Sequence, residues 1–156
     1  MGTEIERKFL VVSELWRPHS RAPQLVRQGY VGRGPTSVVR VRTMGARAFL
    51  TIKSAGAALV RAEYEYEIPF KDADELLANA CAGQVIEKIR HRIEWEGLDW
   101  VIDEFEGPMK GLLLAEIELY CTDQDIDLPA WAGREVTGIA DYSNEQLSLA
   151  GWPPEA

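Results

Sequence analysis

Charged and apolar residues alternate along most of the segments of this chain that have the composition of β-strands. In the stretch Glu-Ile-Glu-Arg-Lys at 4–8, Glu4, Glu6 and Lys8 share one phase, and Ile5 and Arg7 share the other. Because successive side chains of a strand point to opposite faces, the three charges of the first phase would lie on one side. One such strand is typical of a solvated sheet face, but recurrence on most strands indicates a more specific fold.

The charged phase continues in the later predicted strands and carries both signs in equal number. Its acids are Glu4, Glu6, Glu63, Glu65, Asp103, Glu116 and Glu118, and its bases are Lys8, Arg40, Arg42, Lys53, Arg61, Lys88 and Arg90. The intervening phase is mostly apolar, as Val39 and Val41 illustrate. Alternation alone does not decide whether such a charged face meets bulk water or the inside of a closed barrel.

Eight segments are predicted to be strands, and several are rich in Val, Ile, Tyr, Phe and Trp. They lie near 3–12, 24–32, 36–43, 47–54, 60–69, 85–96, 98–106 and 112–120. Glycine-containing stretches at 43–48 and 95–100 predict tight hairpin turns. Long alternating strands with few helices favour a mainly β fold of the α+β class, built as an antiparallel barrel or sandwich.

Two helices are predicted in addition to the strands. Asp72 is the expected N-cap of the first helix, and Gly83 is expected to end it. Cys81 would then be a buried residue of this helix. Ser143 is expected to cap the second helix, and Gly151 is expected to end it.

Length, charge and cysteine content narrow the class of protein. The 156 residues predict a single domain that spans 1–156, and the net charge of −8 disfavours a nucleic-acid partner held by charge. No apolar run is long enough to predict a membrane span. The cysteines Cys81 and Cys121 are too few for a disulfide framework, which predicts a cytoplasmic protein. For the oligomeric state, our hypothesis is a homodimer.

A closed barrel with this charged phase inside would need a ligand that satisfies both signs, because unpaired buried charges are costly. A condensed phosphate with its divalent cation has that chemistry. Carboxylate oxygens bind Mg²⁺ or Mn²⁺, and the planar guanidinium of arginine suits phosphate oxygens. The residues therefore favour a small phosphate compound as the partner.

The sequence also resembles a known family over nearly its whole length. The stretch at 4–8 matches the E-x-E-x-K motif of the CYTH superfamily, the triphosphate tunnel metalloenzymes. Further resemblances follow in the family's order: RQGYV, VVRVR, LTIK, RAEYEYEI, EKIRHR, VIDEFEG, LLLAEIEL and VTGIADYSNEQLSL. The resemblance implies an eight-stranded antiparallel β-barrel that forms a tunnel, with helices packed outside, and action on triphosphate groups with a divalent metal.

The resemblance further implies a role for each matching residue. The metal ligands for Mg²⁺ or Mn²⁺ would be Glu4, Glu6, Glu116 and Glu118. The triphosphate would be bound by Lys8, Tyr30, Arg40, Arg42, Lys53, Arg61, Lys88 and Arg90. Catalysis would depend on Lys8, Glu63, Glu65 and Asp103, and one of the glutamates would accept a proton from water. Arg92 is in phase with Arg90 but is not expected to face inward.

The stretch Glu-Arg-Lys-Phe-Leu-Val at 6–11 resembles the compact bacterial inorganic triphosphatases of the family. We therefore expect hydrolysis of a linear triphosphate, most simply inorganic tripolyphosphate to pyrophosphate and phosphate. A class IV adenylyl cyclase and a thiamine triphosphatase of the same fold are alternatives. The cyclase is disfavoured because Met-Gly-Thr alone precedes the motif, where cyclases usually carry an aromatic residue. A non-catalytic polyphosphate- or nucleotide-binding module is a further alternative.

Overall fold

The computed structural model describes residues 2–54 and 60–153. Its strands are β1 (Gly2–Val11), β2 (Ser20–Arg33), β3 (Ser37–Met44), β4 (Arg47–Ser54), β5 (Val60–Ile68), β6 (Ala82–Trp95), β7 (Leu98–Phe105), β8 (Leu113–Glu118) and β9 (Ala132–Glu135). Its α-helices are α1 (Phe70–Asn79) and α2 (Asn144–Ala150), and short 3₁₀ turns occur at Arg17–His19, Gly107–Met109 and Ala140–Tyr142. In this described part, no helix is long and apolar enough to cross a membrane.

The first eight strands form a closed antiparallel barrel. Their order is β5-β4-β3-β2-β6-β7-β8-β1, and pairing of β1 with β5 closes the ring. This confirms the predicted mainly β fold and decides between a barrel and a sandwich. The sequence did not predict β9, which pairs with the last part of β1 beyond the residues that β5 covers. With four residues, β9 is too short to show an alternating pattern.

Two predicted hairpin turns are confirmed. Two residues, Glu96 and Gly97, join β6 to β7 with φ values of 51° and 76°. Positive φ at both turn positions matches the right-handed twist of the flanking strands. Gly45, with a φ of 58°, is the first residue of the two-residue turn between β3 and β4.

The apolar phase of the strands packs on the outside of the barrel. Val41 of β3 is fully buried and contacts Ala73 and Leu77 of α1. A second cluster covers β1 and β6–β8, with Trp16 and Trp131 from connecting segments over the strand residues. Because burial of this phase supplies the hydrophobic stabilisation, the charged phase of the same strands is directed into the barrel.

The first helix differs from its prediction. It begins after Pro69, whose carbonyl accepts the first helical hydrogen bond from Ala73 N–H at 3.1 Å, so Asp72 lies in the first turn. The helix ends at Asn79, and Cys81 follows it as a half-buried residue. Gly83 belongs to β6 instead, where a side chain would approach the Ser148 carbonyl to 2.8 Å. Because glycine has no side chain, Gly83 allows the close contact between β6 and α2.

The second helix begins and ends as predicted. The Ser143 hydroxyl accepts a hydrogen bond from Gln146 N–H at 3.1 Å, as an N-cap does. Gly151 ends the helix with a φ of 75°, a value that glycine adopts without strain. This cap fixes the position of the first helical residue, Asn144, relative to the barrel.

Candidate active site

A cavity of about 660 Å³ lies inside the barrel. The residues predicted for the site that line it are Glu4, Glu6, Lys8, Tyr30, Arg40, Arg42, Lys53, Arg61, Glu63, Lys88, Arg90, Glu116 and Glu118. Glu65 lines an adjoining pocket, together with Glu63 and Glu118. Asp103 is 1% exposed and lies behind the cavity wall. Strand phase thus brings almost the whole predicted set to one space.

One part of the cavity wall is acidic and is formed where β1 pairs with β8. Glu6 is opposite Glu118, and Lys8 is opposite Glu116. The Lys8 ammonium lies 3.4 Å from a Glu116 oxygen and also donates to the Tyr142 carbonyl at 3.1 Å. Burial disfavours the charged form of Glu116, but Lys8 and neighbouring bases outweigh burial and hold its pKa below the ordinary value.

Glu6 experiences the opposite balance. Burial raises its pKa, and the negative charges of Glu116 and Glu4 raise it further, to about 8. Lys8 and Lys53 oppose this shift without cancelling it. In the metal-free barrel Glu6 therefore retains its proton near neutral pH.

Lys53 connects the acids of β1 and β5. Its ammonium lies 3.0 Å from Glu4 and 3.7 Å from Glu63. Burial raises the pKa of Glu4, but Lys53 outweighs burial and the net shift is downward. Burial and the charge of Glu4 raise the pKa of Glu63. Of the two acids, Glu63 is therefore the better proton acceptor near neutral pH, because its conjugate base is stronger.

Arg40 and Arg42 form a basic wall on β3. Both are buried, and both approach the same Glu65 oxygen, at 3.5 and 3.4 Å. Thr51 donates to that oxygen at 2.9 Å. Within the described residues, the Nε atoms of both arginines are buried without a hydrogen-bond partner. Burial, together with the charges of Arg40 and Arg90, lowers the pKa of Arg42.

Asp103 of β7 holds two bases of β6. It accepts from Lys88 Nζ at 2.7 Å and from Arg90 Nε and a terminal Arg90 nitrogen at 2.9 Å each. Burial disfavours its charged form, but these two bases hold the pKa of Asp103 far below its ordinary range. Because both carboxylate oxygens are engaged, Asp103 acts on the cavity through Lys88 and Arg90.

Other residues that line the cavity were not predicted. Arg92 lines the cavity, although it was not expected to face inward. Its strand phase, which it shares with Arg90, would have been enough to predict this position. Ser143, Asn144 and Glu145 also line it, from the N-terminal end of α2. The sequence located the helix cap at Ser143 but carried no signal for its contact with β6, which lies far away along the chain.

The acidic residues suit a hard divalent cation, which prefers carboxylate oxygens. The raised pKa of Glu6 shows a negative field that a cation would relieve. In the regions 2–54 and 60–153, however, no three His, Cys, Asp or Glu side chains converge as a preformed metal site. The carboxylate donors therefore fit Mg²⁺ or Mn²⁺. The carboxylates would move closer to one another when the cation binds.

The closed barrel and its interior of paired acids and bases define a charged-tunnel β-barrel. The chain belongs to the CYTH domain family, whose model matches residues 2–148. It is 42% identical over 147 residues to an inorganic triphosphatase of Acetivibrio thermocellus, a match that covers 94% of each chain.

Solved structures share this architecture. The crystal structure of the inorganic triphosphatase NE1496 is 34% identical, covers 96% of this chain and 97% of its own, and has a TM-score of 0.70. The Hippeastrum protein HpAC1, a proposed adenylyl cyclase with a dominant triphosphatase activity, has a TM-score of 0.60 and 20% identity, and the match covers 75% of this chain and 80% of its own. Because HpAC1 is only 20% identical to this chain, the similarity between them shows a shared fold alone.

Proposed function

We propose that this protein hydrolyses inorganic tripolyphosphate to pyrophosphate and phosphate with Mg²⁺ or Mn²⁺. The observation that carries the proposal is the pair of buried arginines, Arg40 and Arg42, which line the cavity and whose Nε atoms have no hydrogen-bond partner among the described residues. Such guanidinium groups suit phosphate oxygens. The inorganic triphosphatases at 42% and 34% identity support the same activity.

CYTH triphosphatases are in general metal-dependent. In this chain, Glu4, Glu6, Glu116 and Glu118 would hold the metal, as their hard carboxylate oxygens suit it. A bound divalent cation would neutralise charge on the phosphate chain and lower the pKa of a water molecule. Glu6 would then bind in its deprotonated form, because the cation outweighs the repulsion from Glu116 and Glu4.

The bases would hold the substrate. Arg40 and Arg42 would donate to phosphate oxygens on one side, and Lys88 and Arg90 on another, with Asp103 keeping the latter two in place. Lys8, Lys53, Arg61 and Tyr30 complete the proposed set of substrate contacts. Fixed donors of this kind stabilise the charge that spreads over the oxygens of the transferring phosphoryl group.

A glutamate of β5 would accept the proton of the attacking water. Glu63 and Glu65 are the two candidates. Glu63 lines the main cavity and has a raised pKa, whereas Glu65 accepts from Thr51 at 2.9 Å and faces the two arginines of β3. The raised pKa and the position on the main cavity favour Glu63 as the base.

The test is a product assay on tripolyphosphate, on ATP and on thiamine triphosphate, each with Mg²⁺, with Mn²⁺ and with EDTA. We expect phosphate and pyrophosphate from tripolyphosphate, with loss of turnover in EDTA. Cyclic AMP from ATP would identify a cyclase instead, and preferential turnover of thiamine triphosphate would identify that substrate. Tight binding of tripolyphosphate without product would identify a binding module and overturn the proposal.

The remaining partner and compartment assignments are also proposals. The net charge of −8 fits a protein without a nucleic-acid partner, and Cys81 and Cys121 are free thiols, which fits the cytoplasm. We propose no membrane partner and a homodimer. Light scattering at several protein concentrations tests the oligomeric state.

A further inference from the structure

The ammonium of Lys88 is held from two sides by groups that are distant in sequence. Its Nζ donates to Asp103 Oδ2 at 2.7 Å and to Asn144 Oδ1 at 3.0 Å. The Lys88 side chain is 1% exposed, and the Phe105 ring centroid lies 5.5 Å from Nζ. A lysine ammonium has three N–H groups. As far as the described residues go, two are engaged by oxygens, which leaves one for a ligand in the cavity that Lys88 lines.

Among the described residues, the Asn144 side chain makes no hydrogen bond other than the one to Lys88. Ser143 already caps α2 by accepting from Gln146 N–H, so the Asn144 side chain is not needed to begin the helix. The backbone of Asn144 is anchored on both sides, because Leu147 is fully buried and Ser143 N–H donates to the Ala140 carbonyl at 3.0 Å. A rigid element therefore presents one amide oxygen to a buried cation.

The helix that carries Asn144 is also tied to the barrel by charge. Arg33 of β2 lies 3.0 Å from a Glu145 oxygen and donates to the Ser148 hydroxyl at 3.0 Å. These contacts hold α2 independently of Asn144. A change at Asn144 can therefore alter Lys88 without releasing the helix.

We propose that Asn144 is a positioning residue, which together with Asp103 aims the remaining N–H of Lys88 at the phosphate chain. The proposal rests on the triphosphatase function proposed above. Burial lowers the pKa of Lys88 to about 7, although Asp103 opposes this effect. Because burial disfavours the charged form of Lys88, its ammonium depends on both of its hydrogen-bond acceptors. Hydrogen bonds to charged groups are stronger than those between neutral groups.

The test compares Asn144→Ala and Asn144→Leu, which remove the acceptor, with Asn144→Asp, which keeps it. Gln146→Ala on the same helix is the control, because Gln146 does not line the cavity. With tripolyphosphate and Mg²⁺, we expect kcat to fall about 10- to 100-fold in the Ala and Leu variants, with a smaller change in KM. Asn144→Asp should retain kcat within about threefold while KM rises, because its charge repels the substrate.

A second readout does not depend on turnover. The ¹⁵N signal of a held lysine ammonium should be present in wild type, Asn144→Asp and Gln146→Ala, and lost in the Ala and Leu variants. Equal kcat in all variants, or an unchanged ammonium signal in the Ala and Leu variants, would overturn the proposal. If wild type hydrolysed no tripolyphosphate, the proposed function would fail. Calorimetric tripolyphosphate affinity would then decide the role of Asn144: weaker binding by the Ala and Leu variants supports it, and equal binding overturns it.

Discussion

Glu6 and Glu118 lie directly opposite each other in the antiparallel pair of β1 and β8. Burial, together with the charges of Glu116 and Glu4, raises the pKa of Glu6 to about 8, so Glu6 keeps its proton near neutral pH. The barrel therefore keeps a carboxyl group at its wall in an environment that disfavours its charged form. A site that must bind a cation would carry such a cost in the metal-free state.

We expect the metal-free protein to lose stability as the pH rises from about 5 to about 7. The folded protein keeps the Glu6 proton up to a pKa of about 8, whereas the ordinary value is 4.5. The unfolded state thus binds fewer protons in this range, and its release of the proton favours unfolding by up to about 3 kcal/mol. Thermal melting in EDTA at several pH values measures the slope.

Glu6→Gln is the matched variant for this slope. It should melt with a weaker pH dependence, and Mg²⁺ should stabilise wild type more near pH 7 than near pH 5. The predicted loss of stability applies only up to about pH 7. Burial lowers the pKa of Lys88 to about 7, so above this pH the unfolded state binds more protons at Lys88, and this group makes stability rise with pH. Equal slopes in wild type and Glu6→Gln would show that Glu6 is not the titrating group.

Neighbouring residues of β3 should separate catalysis from folding. Arg40→Ala should reduce kcat/KM at least about 100-fold, as loss of a charged contact to the transition state does, with a small change in melting temperature. Val41→Asp should instead destabilise the fold by about 3 kcal/mol or more, because it places a charge against Ala73 and Leu77. Similar profiles for the two variants in activity and melting assays would contradict the inward direction of the arginines.

Asp103→Asn should impair both stability and turnover. It leaves Lys88 and Arg90 buried without their shared carboxylate, and loss of one partner of a buried ion pair costs about 3–5 kcal/mol. Denaturant unfolding and phosphate release measure the two effects. Glu104→Gln, the neighbouring acid on the outer phase, is the control: its ion pair with Arg17 is partly exposed, so we expect a loss within about 1 kcal/mol and normal turnover.

The opening motif offers a test within a single strand. Lys8 faces the cavity, whereas Arg7 forms a two-point ion pair with Glu135 on the outside, at 3.0 and 2.6 Å. Lys8→Met should abolish most phosphate release while leaving calorimetric Mg²⁺ affinity unchanged or higher, since a positive charge near Glu116 is gone. Arg7→Met should cost at most about 1 kcal/mol and leave turnover intact. Normal turnover in Lys8→Met would exclude its proposed role.

Most of the candidate site could be predicted because strand phase is a local property. Glu4, Glu6 and Lys8 share a face wherever the strand lies, since side chains alternate. The cap at Ser143 was equally local, because it requires a hydroxyl and an amide three residues later. The start of α1 was mispredicted because Asp72 offers a good cap, while the carbonyl of Pro69 accepts the first helical hydrogen bond in the folded chain.

The sequence by itself determined which residues share a face, how the hairpins turn and where α2 begins, since each depends on neighbours along the chain. The tertiary structure decided that the charged face points inward, because α1 and the tryptophans Trp16 and Trp131 cover the apolar face. It also decided that Asp103 serves two bases from behind the wall and that Asn144 reaches Lys88. These contacts depend on barrel closure and strand register, which join residues far apart in sequence and leave no periodic trace in it.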